Sequence, residues 1–142
     1  MILFFDTSAL IKRYVSEAGS QKVDELFDTA SQIVISPITK IESISCIRRL
    51  QEENLISVED FNRLKNEIEF DFKFFTVLSL HQTIEDKAIS LIEKYQLKTL
   101  DSIQLASCLS QKDIIHSFVV SDTKLKRCAL SENINVIDPI EF

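Results

Sequence analysis

The chain has 142 residues, 45% of them hydrophobic and 27% charged, and a formal net charge of −6, a size and mix that predict one globular domain over residues 1–142. No run approaches the ~20 apolar residues of a bilayer-spanning helix, and "MILFF" is too short for a secretory signal and has no basic residue ahead of it; a cytoplasmic protein with no membrane contact is expected. One glycine, Gly19, argues against phosphate-cradling loops, and three scattered cysteines (Cys46, Cys108, Cys128) with two histidines argue against a disulfide framework or a nitrogen- or sulfur-ligated metal.

The first apolar run, "ILFF" at 2–5, predicts a strand that lies in a core and ends on Asp6, Thr7 and Ser8. A carboxylate in that place is costly unless something pairs with it. "IVIS" at 33–36 predicts the second strand, and 37–72 predicts two successive helices. Pro37 suits the first turn of one of them, and Ser57, with Asp60 three residues on, suits the N-cap of the other. Residues 52–71 hold seven acids and two bases, so nearly all of the net charge is local to that segment. It reads as a solvated helical pair in preference to a protein-binding surface. "FFTVLSL" at 74–80, "SFVV" at 117–120 and "INVI" at 134–137 predict three further strands, with segments of helical period between them. Such alternation predicts an α/β protein, a three-layer α/β/α sandwich around a central parallel sheet of four to five strands.

Asp6, Asp101 and Asp122 open "DTSALI", "DSIQLA" and "DTKLKR", which all read as helix starts, so each is a candidate N-cap. Strand polarity adds a second reading. Asp6 follows the first strand and Asp122 follows "SFVV" with only Ser121 between, so both lie at the strand C-termini, the edge where open α/β sheets bind ligands. Glu42 falls in the first turns of the helix that follows the second strand. Helical spacing puts it beside Ile38 and Cys46 with Ser45 and Arg49 on its flank, and puts Asp101 on a face with Leu97, Leu105 and Cys108. No basic residue stands at a matching strand end to neutralise these acids. Four converging carboxylates call for protons or a hard cation, and Mg²⁺ or Mn²⁺ shared by Asp6, Glu42, Asp101 and Asp122 fits. Lys12, Arg13, Lys124, Lys126 and Arg127 flank the crevice as candidates for holding phosphates, against the plainer reading of solvated helix faces.

"FFDTSALIKRY", a lone Glu after the second strand, "TLDSIQLAS" and "VVSDTKL" together resemble the PIN-domain nucleases, above all the VapC-type toxins of bacterial toxin–antitoxin pairs. The resemblance runs from Ile2 to "INVIDP". It implies a PIN-like fold and a Mg²⁺- or Mn²⁺-dependent ribonuclease, commonly homodimeric and silenced by a cognate antitoxin. It also implies an acidic site of Asp6, Glu42, Asp101 and Asp122 with Ser8 and Ser121 as polar neighbours. Asp6 and Asp101 are the expected principal ligands, while Ser8 reads equally as a helix residue bonded to its own backbone.

Other readings stay open from sequence. A haloacid dehalogenase-type phosphatase also carries an Asp after its first strand, but needs a second acid where this chain has Ser8. A receiver-like signalling domain would need an Asp at the end of the middle strand, which "FFTVLSLHQ" lacks. A PIN-like module without turnover, binding only a protein or RNA partner, is compatible with the same composition.

Overall fold

Residues 1–141 are described in a computed structural model. Alternate residues of β1 (Ile2–Phe5) point to opposite sides of the sheet, and both sides are apolar, as expected of a strand covered on both faces. Leu3 and Phe5 enter one core with Ile33, Ile35 and Val119, while Phe4 enters the other with Val34 and Phe118. Phe4 and Phe118 meet edge to face, with ring centroids 5.4 Å apart.

The chain continues through α1 (Thr7–Leu10), extended by a 3₁₀ turn at Ile11–Arg13, then α2 (Ser20–Thr29), β2 (Gln32–Ile35), α3 (Thr39–Glu52) and α4 (Val58–Phe72). It follows with β3 (Thr76–Val77), α5 (Gln82–Tyr95), α6 (Thr99–Ser110), β4 (Ser117–Val119), α7 (Thr123–Ser131) and β5 (Val136–Ile137). The five strands are all parallel, in the order β3-β2-β1-β4-β5. Residues of α1 to α4 pack on the Leu3/Phe5 face and residues of α5 to α7 on the Phe4 face, which makes the expected three-layer sandwich. Among the described residues no helix is long and apolar enough to cross a membrane.

Strand order decides where a ligand can sit. From β1 the sheet grows one way through β2 to β3 and the other way through β4 to β5, so the crevice beyond the carboxyl ends of β1 and β4 is the point where the direction reverses. Asp6 follows β1 directly and its N–H still donates to Val119 O of β4 at 3.0 Å. Asp122 follows β4 and caps α7.

All five predicted strands exist, but the ladders are shorter than the apolar runs. Of "FFTVLSL" only Thr76 and Val77 stand in register with β2, with Leu78 N adding one bond to Ile35 O at 3.0 Å, and Phe74 is 70% exposed. In the second helix of the predicted pair, Ser57 caps α4 reciprocally with Asp60, as expected. Pro37 is corrected: α3 starts at Thr39 with Ile38 as its N-cap, so the proline precedes the cap and Ser36 bonds Thr39 instead. All three cysteines are free.

Candidate active site

Asp6 ends a buried strand and starts a helix, and these two duties place its carboxylate. As N-cap of α1 it accepts from Ser8 N at 3.3 Å and from Ser8 Oγ on the same oxygen. Asp122 caps α7 through Leu125 N at 2.8 Å. Asp101 is no cap: Lys98 holds that position in α6 and Asp101 stands in the first turn, near the positive helix end. Glu42, in the first turn of α3, accepts from Thr7 Oγ1 at 2.7 Å and from Gln104 Nε2 at 2.9 Å.

The four acids, carried on four different stretches of chain, line one pocket of about 390 Å³ together with Thr7, Ser8, Ser121, Cys46, Lys12 and Arg49. Exposure is graded across it. Asp6 is 5% exposed at the floor, Glu42 and Asp101 are half-buried, and Asp122 is open to solvent. Burial, opposed by the Ser8 hydrogen bond and reinforced by Glu42 and Asp101, pushes the Asp6 carboxyl up to about 7. Asp101 is also raised, by burial first and then by Asp122 and Glu42, while Lys98 and Lys124 pull it down.

Two cations line the pocket, Lys12, expected to flank the crevice, and Arg49, expected on the flank of Glu42. Lys12 is 8% exposed and lines the pocket, its Nζ bonded to Glu17 at 3.0 Å, and Arg49 reaches the same pocket from α3. The 3₁₀ turn and Gly19 make this possible. Gly19 has φ +93°, and a Cβ there would lie 3.2 Å from the Lys12 side chain. Of the other basic candidates, Arg13 pairs with Asp24 at 2.9 Å and stacks on Phe27, and Lys126 is held by Asp138 and Glu141. Lys124 Nζ donates to Gln96 O and contributes to the field at Asp101; Arg127 is exposed on α7 and does not line the pocket.

A PIN domain family model matches residues 3–130. The chain belongs to the PIN domain family. No curated protein sequence matches this PIN domain. Among solved structures it is similar over 99% of both chains to one in a toxin–antitoxin complex from Klebsiella pneumoniae, at 20% identity and a TM-score of 0.71. It is likewise similar to a chain of FitAcB from Neisseria gonorrhoeae, with all of both chains covered, 15% identity and a TM-score of 0.70. A chain of VapBC-1 from nontypeable Haemophilus influenzae gives 17% identity and a TM-score of 0.65, covering 99% of this PIN domain and all of that chain.

As a donor set, the pocket of the PIN domain is all oxygen apart from Cys46, which suits a hard divalent ion. Among the described residues no three Asp, Glu, His or Cys side chains gather closely enough to cage an ion by themselves. Hydrogen bonds to Ser8, to Thr7 and Gln104, and to Leu125 hold three of the carboxylates apart. The arrangement fits Mg²⁺-like binding through one or two carboxylates and several waters. Ser121 Oγ, buried at the rim without a hydrogen-bond partner, is a further oxygen for such a shell. Sequence reading missed Thr7 and Gln104. The signal for Gln104 was there, a polar side chain three residues after Asp101 on a helix with buried neighbours.

Proposed function

We propose that this PIN domain is a Mg²⁺- or Mn²⁺-dependent endoribonuclease, acting in the cytoplasm as the toxin of a toxin–antitoxin pair. The observation that carries the reading is the pocket itself: four carboxylates from four parts of the chain share one crevice with Lys12 and Arg49, at the point where the sheet reverses direction. A phosphodiester hydrolase needs that pairing of charges, acids to hold a cation and bases to hold substrate phosphates. A bound divalent ion would polarise the phosphoryl oxygen and lower the pKa of the attacking water.

The residues would divide the work by burial. Asp6 and Asp101 are the principal ligands. Glu42 and Asp122 complete the shell directly or through water. Ser8 fixes the Asp6 carboxylate by donating to it, in the place where a dehalogenase-type phosphatase would carry its second acid. With its carboxyl raised to about 7, Asp6 still holds a proton in a substantial fraction of molecules near neutral pH, and a bound cation would displace it. Lys12 and Arg49 would bind RNA phosphates flanking the scissile one.

A protein partner is supported by the surface as well as by the assemblies named for the similar structures. Phe70 and Phe74 are 57% and 70% exposed with ring centroids 5.3 Å apart, and Ile41 and Leu100 lie open beside Glu42. Apolar surface of this kind is what a cognate antitoxin or a second copy in a homodimer would cover. The deciding experiment incubates total RNA with wild type and Asp6→Asn in Mg²⁺, Mn²⁺ or chelator. Cleavage should require metal and fall at least ~100-fold in the variant, as expected for loss of a charge from a site built on electrostatics. Undiminished cleavage in excess chelator overturns the metal mechanism, and RNA bound but left intact under every condition favours the idle PIN-like module.

A further inference from the structure

Gln104 is 1% exposed and lies behind the pocket, one turn along α6 from Asp101. Its Nε2 lies 2.9 Å from Glu42 Oε1, 2.9 Å from Thr7 Oγ1 and 3.2 Å from Thr39 Oγ1, so two protons are shared among three acceptors. Thr7 Oγ1, accepting from Gln104, donates its own proton to the same Glu42 oxygen at 2.7 Å. Thr39 in turn exchanges a hydrogen bond with Ser36 at the end of β2. One side chain therefore joins α6, which carries Asp101, to α3, which carries Glu42, and to Thr7, the residue after Asp6.

The amide orientation follows from chemistry. Turned round, its oxygen would face the Glu42 carboxylate, acceptor against acceptor. In the orientation present the amide oxygen, Gln104 Oε1, is buried with no hydrogen-bond partner. An apolar side chain of the same length would fill the space without that cost. Packing alone does not account for a glutamine here; its donor end does.

We propose that Gln104 is a positioning residue of the acidic site, acting through Glu42: with Thr7 it fixes the rotamer of that carboxylate and the spacing between the helices that carry Glu42 and Asp101. The proposal rests on the reading of the pocket as a metal site. Partners that orient a metal ligand from behind change affinity by about 10- to 100-fold when removed.

The test is Gln104→Met, which keeps the length and removes the donor. Free Mn²⁺ is followed by electron paramagnetic resonance during titration of wild type, Gln104→Met, Glu42→Gln and the double variant, with kcat and KM for RNA measured beside it. Gln104→Met should weaken Mn²⁺ binding at least ~10-fold and lower kcat with KM for RNA little changed. On the Glu42→Gln background the same change should cost less than about twofold, because the two residues act as one unit. Should Gln104→Met fail to fold, Thr7→Val takes its place, since Thr7 relays the same hydrogen bond. Affinity within about twofold of wild type, or an equal loss on both backgrounds, overturns the proposal and leaves the metal site standing. A wild type that binds no Mn²⁺ overturns the metal site, and this inference with it.

Discussion

Asp6 holds one position for two reasons that compete in most proteins. A helix cap asks only for an oxygen, and Asn serves nearly as well as Asp. The carboxylate here is also buried beside Glu42 and Asp101, which an amide would tolerate better than a charge. The sign of the resulting pH dependence is fixed. Its carboxyl titrates near 7 in the folded chain against 3.8 ordinarily, so the folded state holds the proton more tightly than the unfolded one. That contribution to stability is full below about pH 4 and is lost as the pH rises through 7, a difference on the order of 4 kcal/mol between the two protonation states. In chelator, wild type should therefore fall progressively below Asp6→Asn between pH 4 and 8, measured as the difference between their melting temperatures. A difference independent of pH would show that Asp6 feels neither the burial nor its neighbours. With Mn²⁺ above its Kd the order should reverse near neutral pH, because wild type gains RT ln(1 + [Mn²⁺]/Kd) and the weakened variant gains little.

Elements were more legible than the contacts between them. Periodicity located all five strands and the paired helices, because β1 and its neighbours are covered on both faces and carry unbroken apolar runs. Local chemistry gave Ser57 and Asp60 as the capping box of α4. Ser57→Ala should thus cost about 1 kcal/mol, lowering the melting temperature by roughly 2–4 °C for a chain of this size, with RNA cleavage unchanged; a loss of cleavage without a shift in melting would tie this helix to the site. Capping also explains where local reading failed. Asp101 resembles Asp6 and Asp122 in its sequence context, yet Lys98 takes the cap, so the acid is turned to the pocket with no backbone duty of its own. Gln104 and the burial of Lys12 were harder still. Gln104 makes its bonds to residues 62 to 97 positions away, and the burial of Lys12 depends on Glu17 and Gly19 beyond a turn that no periodicity announces.

At the scale of the molecule, a net charge of −6 and the proposed RNA substrate conflict only if the charge is spread evenly. It is concentrated in residues 52–71, at the end of α3 and along α4, and none of these acids lines the carboxylate pocket. Screening in 0.15 M salt confines exposed charges to about 8 Å, so the substrate responds to what lies near the pocket and little to the total. The cations found there are Lys12 and Arg49. Binding of single-stranded RNA to protein in Ca²⁺, used to limit turnover, should weaken as salt rises, with each phosphate contact contributing about 0.7 to the slope of log K against log salt. Lys12→Gln and Arg49→Gln should each flatten that slope by about this amount. Arg13→Gln and Lys126→Gln should leave it unchanged, because those side chains do not line the carboxylate pocket. Neutralising Glu59, Glu67 and Glu69 together should also leave it unchanged. A slope that responds to the acidic helix but not to Lys12 or Arg49 would mean that RNA approaches across α4, and would detach its binding surface from the carboxylate pocket.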